Sequence, residues 1–439
     1  MTGGYDRTVS ADDHGLGPET VWEIQLPAIR FGRNAVEELD YQLGELGVEA
    51  EASGLIVTDE PMVQVGHVDR VSDHLEDAGY DITVWDGAEP EPSIETVDSC
   101  LEFVRENEGE DGYDFYLGMG GGSSLDVAKG TRAVMANGGE VLDYVAEPTG
   151  GGKALTESGD PLILVPTTAG TGSEISPVAI YAVEEKDIKE GISSNHVRAD
   201  AAVLDPTLTT TMPAAVTAST GMDALAHALE GYTTHAYDSF LRAEDPAQRP
   251  VYAGQTAVTE MYGQRAIELV ANNLRTAVHN GEDVEARGAM LKASLFGAIC
   301  GLTAGVSLCH AMAYPVGNKY HTSHGETIAV LTPATTLGYN VASDPERFAE
   351  IAALLGADTD GMSTRDAADE ARREYVRLQQ DLNVIPSGLA ELAGVSEDEI
   401  DWLATQTVET QQRLLRCNPR PVAKDDALEV FREALHNWE

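Results

Sequence analysis

Short runs of β-branched and aromatic residues alternate with helical segments through the first half of the chain, and this alternation constrains the fold most. The stretches "GLIVTDE" (54–60), "DITVWDG" (81–87), "DFYLGMGGG" (114–122), "PLILVPTT" (161–168) and "ADAAVLDP" read as strands. Residues 61–79, with Pro61 in the first turn, 93–109 and 123–136 read as helices between them. Such an order implies a mainly parallel sheet covered by helices on both faces. "SPVAIYAVEE" and "KEGISSNH" read as a hairpin beside it. After Pro206 the strand signals stop, and helical patterns such as 256–279 and 425–438 run to the end. The expected organisation is a polar, mobile arm over 1–20, an α/β domain over 21–206 and an all-helical domain over 207–439.

Charge narrows the partners. The 439 residues include 74 acidic and 28 basic side chains, a net charge of −46. Such a chain repels nucleic acid and anionic membranes. The acids are interspersed through patterned segments rather than gathered in a tail, which points to a surface adapted to high salt, where ions screen self-repulsion. Lysine is scarce, so each one kept, Lys129 and Lys189 included, raises a question. Four cysteines without a CxxC pair fit a reducing compartment, and the first twenty residues lack the basic and apolar regions of a signal peptide. A cytoplasmic location is expected. The stretch 295–317 carries no formal charge, but its glycines, His310 and Pro315 suit a buried helix better than a membrane span.

Two loops suggest a nucleotide. In "GMGGGSSLDVAKG" a strand ends in three glycines before a helix, where the backbone can approach a ligand and helix N–H groups can face a pyrophosphate. The pattern is neither GxGxxG nor a P-loop, and a tight turn with a Ser cap would also account for it. "PTTAGTGSEIS" (166–176) follows another strand. Two such loops at strand C-termini match the place where open α/β sheets hold nucleotides. Asp59, ending its strand, is placed either to accept from ribose hydroxyls or to be a solvated turn residue.

A second constellation suggests a metal. In "GMDALAHALEGY" Asp223 and His227 lie four residues apart, on one helical face. His310 and His324 follow, and one carboxylate with three imidazoles suits Fe(II) or Zn(II). Burying Asp223 among apolar residues without a cation would be costly. His321 and His235 are rival ligands that spacing alone does not eliminate.

Taken in order, "GGGSSLDVAKG", "PTTAGTGSEIS", "GMDALAHALEGY" and "CHAMAYPVGNKYHTSHGE" resemble the iron-containing (group III) alcohol dehydrogenase family, from about Phe31 to near the C-terminus. The resemblance implies a Rossmann-like N-terminal domain for NAD(P) and a helical metal-binding domain. By matching position it makes Asp223, His227, His310 and His324 the metal ligands, with Fe(II) preferred over Zn(II), and removes His321 from that role. It puts Gly121, Gly122 and Ser123 on the pyrophosphate loop, Thr167, Thr168 and Ser176 along the cofactor, Lys189 on its lysine contact, and Asp59 on the acid associated with NAD rather than NADP.

Two departures stand out. A histidine common in the family near the substrate is Tyr314 here, leaving a tyrosine or a water chain to relay the proton. The usual Pro-Asn-Pro is "PEP", with Glu91 in the middle. An insertion, "THAYDSFLRAEDPAQRPVYAGQ" (234–255), together with Tyr314, resembles the hydroxyacid–oxoacid transhydrogenase branch, and Arg242 and Arg249 within it could clamp a substrate carboxylate or simply pair with acids. The expected activity is reversible hydride transfer between a small alcohol or hydroxy acid and nicotinamide. Transhydrogenation of 4-hydroxybutyrate and 2-oxoglutarate, a 3-dehydroquinate synthase-like lyase and a non-catalytic metal-binding protein are the alternatives. A homo-oligomer is expected.

Overall fold

The computed structural model describes residues 17–183, 188–246 and 249–438, so most of the expected arm over 1–20 lies outside the described residues. The chain divides into two compact units, an α/β unit of Gln25–Thr220 with Thr276–Leu295 and a helical unit comprising the rest.

The strands of the α/β unit are β1 (Ala28–Phe31), β2 (Ser53–Val57), β3 (Asp81–Trp85), β4 (Phe115–Gly120), β5 (Leu162–Pro166), β6 (Val178–Val183), β7 (Ile188–Ser193) and β8 (Ala201–Leu204). Six form one sheet in the order β1-β8-β5-β4-β2-β3, every pairing parallel, while β6 and β7 form an antiparallel hairpin. Its helices are α1 (Leu39–Glu45), α2 (Glu60–Gln64), α3 (His67–Asp77), α4 (Ile94–Glu108), α5 (Gly122–Asn137) and α6 (Val141–Tyr144). Successive strand residues point to opposite faces. Leu55, Val57, Tyr116, Leu162 and Leu164 pack with Val97, Leu101 and Val104 of α4 and Leu125 and Ala128 of α5. Ile56, Phe115, Leu117, Ile163 and Val165 pack on the other face with Leu39 and Leu43 of α1 and Val68, Val71 and Leu75 of α3. Burial on both faces is why these strands read as almost unbroken apolar runs.

Two local readings need correction. The helix expected over 61–79 is two helices, α2 and α3, because Gly66 takes φ 77° between them. Strand β1 was not read from the sequence: "AIRF" is mostly exposed and pairs only with β8, at the sheet edge. From β2 the chain steps out to β3, then returns past β2 to β4. Helix α3 leaves to one face and α4 and α5 to the other, so the ends of β2 and β4 diverge at a topological switch point.

The helical unit draws on α7 (Ala214–Thr233), α8 (Ala257–His279), α9 (Val284–Ala304), α10 (Leu308–Tyr320), α11 (His324–Leu331), α12 (Pro345–Leu355), α13 (Thr364–Leu382), α14 (Leu389–Ala393), α15 (Ile400–Thr410), α16 (Gln412–Leu415) and α17 (Lys424–Ala434). The compact units meet at Thr220, inside α7. Thr276–Leu295 groups with the α/β unit because buried Arg287 donates to Thr217 Oγ1 (2.6 Å) and to the Met212 carbonyl (2.9 Å). The uncharged stretch 295–317 is shared between α9 and α10, which bend by 100° where Gly305 takes φ 116°. Among the described residues no single helix is long and apolar enough to cross a membrane.

Candidate active site

Helix α7 carries Asp223 and His227 one turn apart. Its backbone is approached closely by α9, where Gly297 and Gly301 present no side chain: a Cβ on Gly297 would lie 2.6 Å from the Ala224 carbonyl oxygen, and one on Gly301 2.5 Å from that of His227. These two glycines of the uncharged stretch thus let one helix lie directly behind the turn that carries Asp223 and His227.

Two turns beyond Asp223, Glu230 fixes the next helix. Its carboxylate is completely buried and accepts from Ser307 Oγ (2.8 Å) and from the Cys309 backbone N–H (2.7 Å), capping the first turn of α10. It also accepts from His310 Nδ1 at 2.5 Å, which leaves Nε2 as the free ring nitrogen and sets the ring's orientation. Burial opposes the charged form of Glu230, but His310 and Ser307 hold its pKa below the usual carboxylate range.

Asp223 Oδ1 lies 3.7 Å from His310 Nε2 and 3.7 Å from His324 Nε2, and one ligand atom from each of the three residues falls within 4.8 Å of the others. Tetrahedral ligands about 2.1 Å from a metal stand roughly 3.4 Å apart, so the spacing suits one ion. His227 is outside that three-residue set, but its ring stacks on His310 with centroids 4.9 Å apart and planes 21° apart. The atoms themselves test the fit. Asp223 Oδ1 and His310 Nε2 are buried and have no hydrogen-bond partner. A buried acceptor without a donor is costly, and a cation relieves it. Burial works against the Asp223 carboxylate, yet His227, His324 and His310 keep its pKa lowered. The rivals lie elsewhere: His321 is the exposed left-handed C-cap of α10, and the His235 ring meets Phe240 edge-on at 6.3 Å.

In the α/β unit, the ends of β2 and β4 bring together most of the residues assigned to a dinucleotide. Gly120 takes φ 146°, and a Cβ there would lie 2.5 Å from Ser124 Oγ. Gly121 is the N-cap of α5 and has no side-chain cap, so the following N–H groups are available to an anion. Gly121 and Gly122 face Thr168 and Thr171, and the Thr167 N–H donates to the Gly120 carbonyl (2.8 Å). Asp59 accepts from Met62 N–H (3.1 Å), capping α2, and from Ser124 Oγ (2.9 Å). Ser176 is used in its own turn, accepting from Val178 N–H (3.0 Å). Lys189 pairs with Glu91 at 2.7 Å, and Ser123 Oγ accepts from the Glu91 N–H (3.2 Å). Lys129 is a buried staple, donating to Asp126, Ser173 and the Val178 carbonyl.

The substrate candidates fare differently. The Tyr314 ring lies 6.1 Å from that of His324 and packs against the buried cluster of Tyr252 of the insertion, Val306, Ala311, Leu414 and Cys417. Arg249 forms a two-point pair with Glu19 (3.0 and 3.4 Å), and Arg242 donates to Thr20 Oγ1 (3.4 Å). Both guanidinium groups therefore fasten residues 17–20 to the insertion. Sequence reasoning missed Glu230, although it stands inside the quoted ligand stretch, and missed that Tyr252 of the insertion belongs to the buried cluster against which Tyr314 packs.

Comparison with known proteins now decides the family. Residues 27–206 match the family model "Iron-containing alcohol dehydrogenase", and residues 251–435 match "Fe-containing alcohol dehydrogenase family, C-terminal". The chain belongs to the iron-containing alcohol dehydrogenase family. It is 32% identical to the mitochondrial hydroxyacid-oxoacid transhydrogenase of Rattus norvegicus, over 98% of this chain and 93% of that protein. It is 33% identical to long-chain-alcohol dehydrogenase 1 of Geobacillus thermodenitrificans (strain NG80-2), over 93% and 95%. A crystal structure of 1,3-propanediol oxidoreductase matches with a TM-score of 0.83 at 32% identity, covering 94% of this chain and all of that one. This iron-containing alcohol dehydrogenase is therefore an oxidoreductase, and the lyase and non-catalytic readings are set aside.

Proposed function

We propose that this family member is an alcohol dehydrogenase using NAD(H) in preference to NADP(H), with Fe(II) in preference to Zn(II) held by Asp223, His227, His310 and His324. The observation that carries the proposal is the pair of buried, partnerless ligand atoms, Asp223 Oδ1 and His310 Nε2, converging with His324 Nε2. A divalent cation there would supply Lewis-acid chemistry, lowering the pKa of an alcohol hydroxyl or polarising a carbonyl. Glu230 keeps the His310 Nδ1 proton on the side away from that point. Tyr314, packed against the cluster that contains Tyr252 and with its ring 6.1 Å from that of His324, would be the proton carrier. The uncapped N-terminus of α5 and Lys189 would receive the phosphates of the dinucleotide, and Asp59 would discriminate against a 2′-phosphate.

The second reading is transhydrogenation between a hydroxy acid and an oxo acid. The insertion at 234–255 and the name of the rat relative favour it. Metal analysis of purified protein, with a screen of small alcohols, aldehydes and hydroxy acids at high salt, tests the first reading. NADH release from an alcohol by an iron-loaded enzyme supports it; full turnover without metal sinks it. Adding 4-hydroxybutyrate and 2-oxoglutarate without free NAD separates the second.

We further propose a cytoplasmic, salt-adapted homo-oligomer. The net charge of −46 and the four buried free thiols support the setting. The exposed Ile29 and Phe31 on edge strand β1 support the association. Activity rising from low to molar KCl, and the mass in solution, are the checks.

A further inference from the structure

The loop entering α4 holds Glu91 between Pro90 and Pro92 with φ 56°, a left-handed backbone that Asn adopts more readily than Glu. Neighbouring bonds keep it there. The Glu91 N–H donates to Ser123 Oγ (3.2 Å), the Pro92 carbonyl accepts from Ala182 N–H of β6 (2.9 Å), and Ser93 caps α4 through Thr96 N–H (3.1 Å). With the backbone so fixed, the side chain reaches Lys189 on β7, where Oε1 and Nζ stand 2.7 Å apart. The Lys189 side chain is only 14% exposed and that of Glu91 36%, so solvent screens the lysine little. Glu91 therefore holds both Ser123 and Lys189, two of the residues assigned to the cofactor.

One ammonium group cannot serve a carboxylate and a phosphate at full strength together. We infer that Glu91 is the resident counter-ion of Lys189, which a dinucleotide phosphate must displace, so that this carboxylate weakens cofactor binding and speeds its release. The inference rests on the reading above that the glycine loop and Lys189 receive a nicotinamide dinucleotide. It assigns the Glu in "PEP" a role that an Asn there would not fill, because a neutral amide does not compete for the ammonium with comparable strength.

The test uses the full-length, metal-loaded enzyme and NADH as probe, with the equilibrium constant from fluorescence and the release rate from stopped flow. Glu91→Gln and Glu91→Asn should each bind NADH about three- to tenfold more tightly, chiefly through slower release. Lys189→Met should weaken binding about tenfold, and adding Glu91→Gln to it should then change nothing. Equal or weaker binding by both Glu91 variants overturns the inference, as does a gain that survives in the Lys189→Met background. Unchanged binding by Lys189→Met alone overturns it, and with it the lysine contact, while leaving dinucleotide binding at the glycine loop standing. Wild-type enzyme that binds no NADH overturns both. Thermal melts of each variant establish that the fold is kept.

Discussion

The two candidate regions are built on opposite plans. In the helical unit, Asp223 Oδ1 and His310 Nε2 are buried without hydrogen-bond partners. In the α/β unit, the polar groups assigned to the cofactor already have partners: Asp59 holds Met62 and Ser124, Ser123 holds Glu91, and Lys189 holds Glu91. The first is a cage backed by close helix packing, whose two partnerless atoms a cation would satisfy. The second must exchange internal bonds for bonds to its ligand. Changes in the cage should therefore act almost as a switch, and changes in the loops should act by degrees.

The largest effect is expected from His310→Ala. Loss of a ligand from the cage should remove metal and activity together, with kcat/KM falling about a thousandfold or more, about 4 kcal/mol of transition-state stabilisation. Metal content by mass spectrometry and turnover on the same sample check it, and near-normal turnover in metal-free protein would break the comparison at its strong end. Glu230→Gln comes next. It keeps the volume and weakens the hold on His310 Nδ1 and on the first turn of α10, so metal affinity should fall about ten- to a hundredfold in a chelator competition. Gly301→Ala tests the close helix packing that backs the cage. Its new methyl would meet the His227 carbonyl oxygen at 2.5 Å, so the cost should be about 1–3 kcal/mol, read as a lowered melting temperature with reduced metal retention.

In the loops the effects should be gradual. Asp59→Ala removes the α2 cap, a cost of about 1 kcal/mol, and should narrow the preference for NADH over NADPH about tenfold in paired binding measurements. An unchanged cofactor ratio with lowered stability would reduce Asp59 to its capping role.

How far the sequence reached follows the same division. The parallel sheet was legible because apolar runs between helices admit few other arrangements, and the Asp223–His227 pair because residues four apart share a helix face, whereas His310 and His324 were separated from His321 and His235 only by the family resemblance. Strand β1 was not legible: "AIRF" owes its state to pairing with β8, and no periodicity records that. Gly66 looked like a tolerated helix interior and instead breaks the helix. Glu230 was hidden because a carboxylate inside an apolar helix has the same letter whether it caps, pairs or ligates. The Glu91–Lys189 pair needed β7 brought beside the loop before α4, a contact across nearly a hundred residues of sequence.

The smallest expected effect concerns Arg249, and it separates a structural residue from a substrate clamp. The guanidinium holds Glu19 at two points, and its hydrogen bond is the main reason that the Glu19 pKa is pulled down from 4.5 to about 2, against the opposing effect of burial. A carboxylate whose pKa is depressed on folding stabilises the fold above its unfolded pKa and ceases to as pH falls through the folded one. Arg249→Ala should therefore lower stability by about 1 kcal/mol or less near neutral pH, with the difference from wild type shrinking as the pH drops from 4.5 toward 2. Kinetics with a simple alcohol and with a hydroxy acid should then change alike, by about twofold or less, because a guanidinium committed to Glu19 has little left for a substrate. If instead KM for the hydroxy acid alone rose about tenfold or more while melting stayed put, Arg249 would be reaching the substrate carboxylate. The insertion would then belong to the machinery that selects a hydroxy acid, and the transhydrogenase reading would gain its first residue-level support.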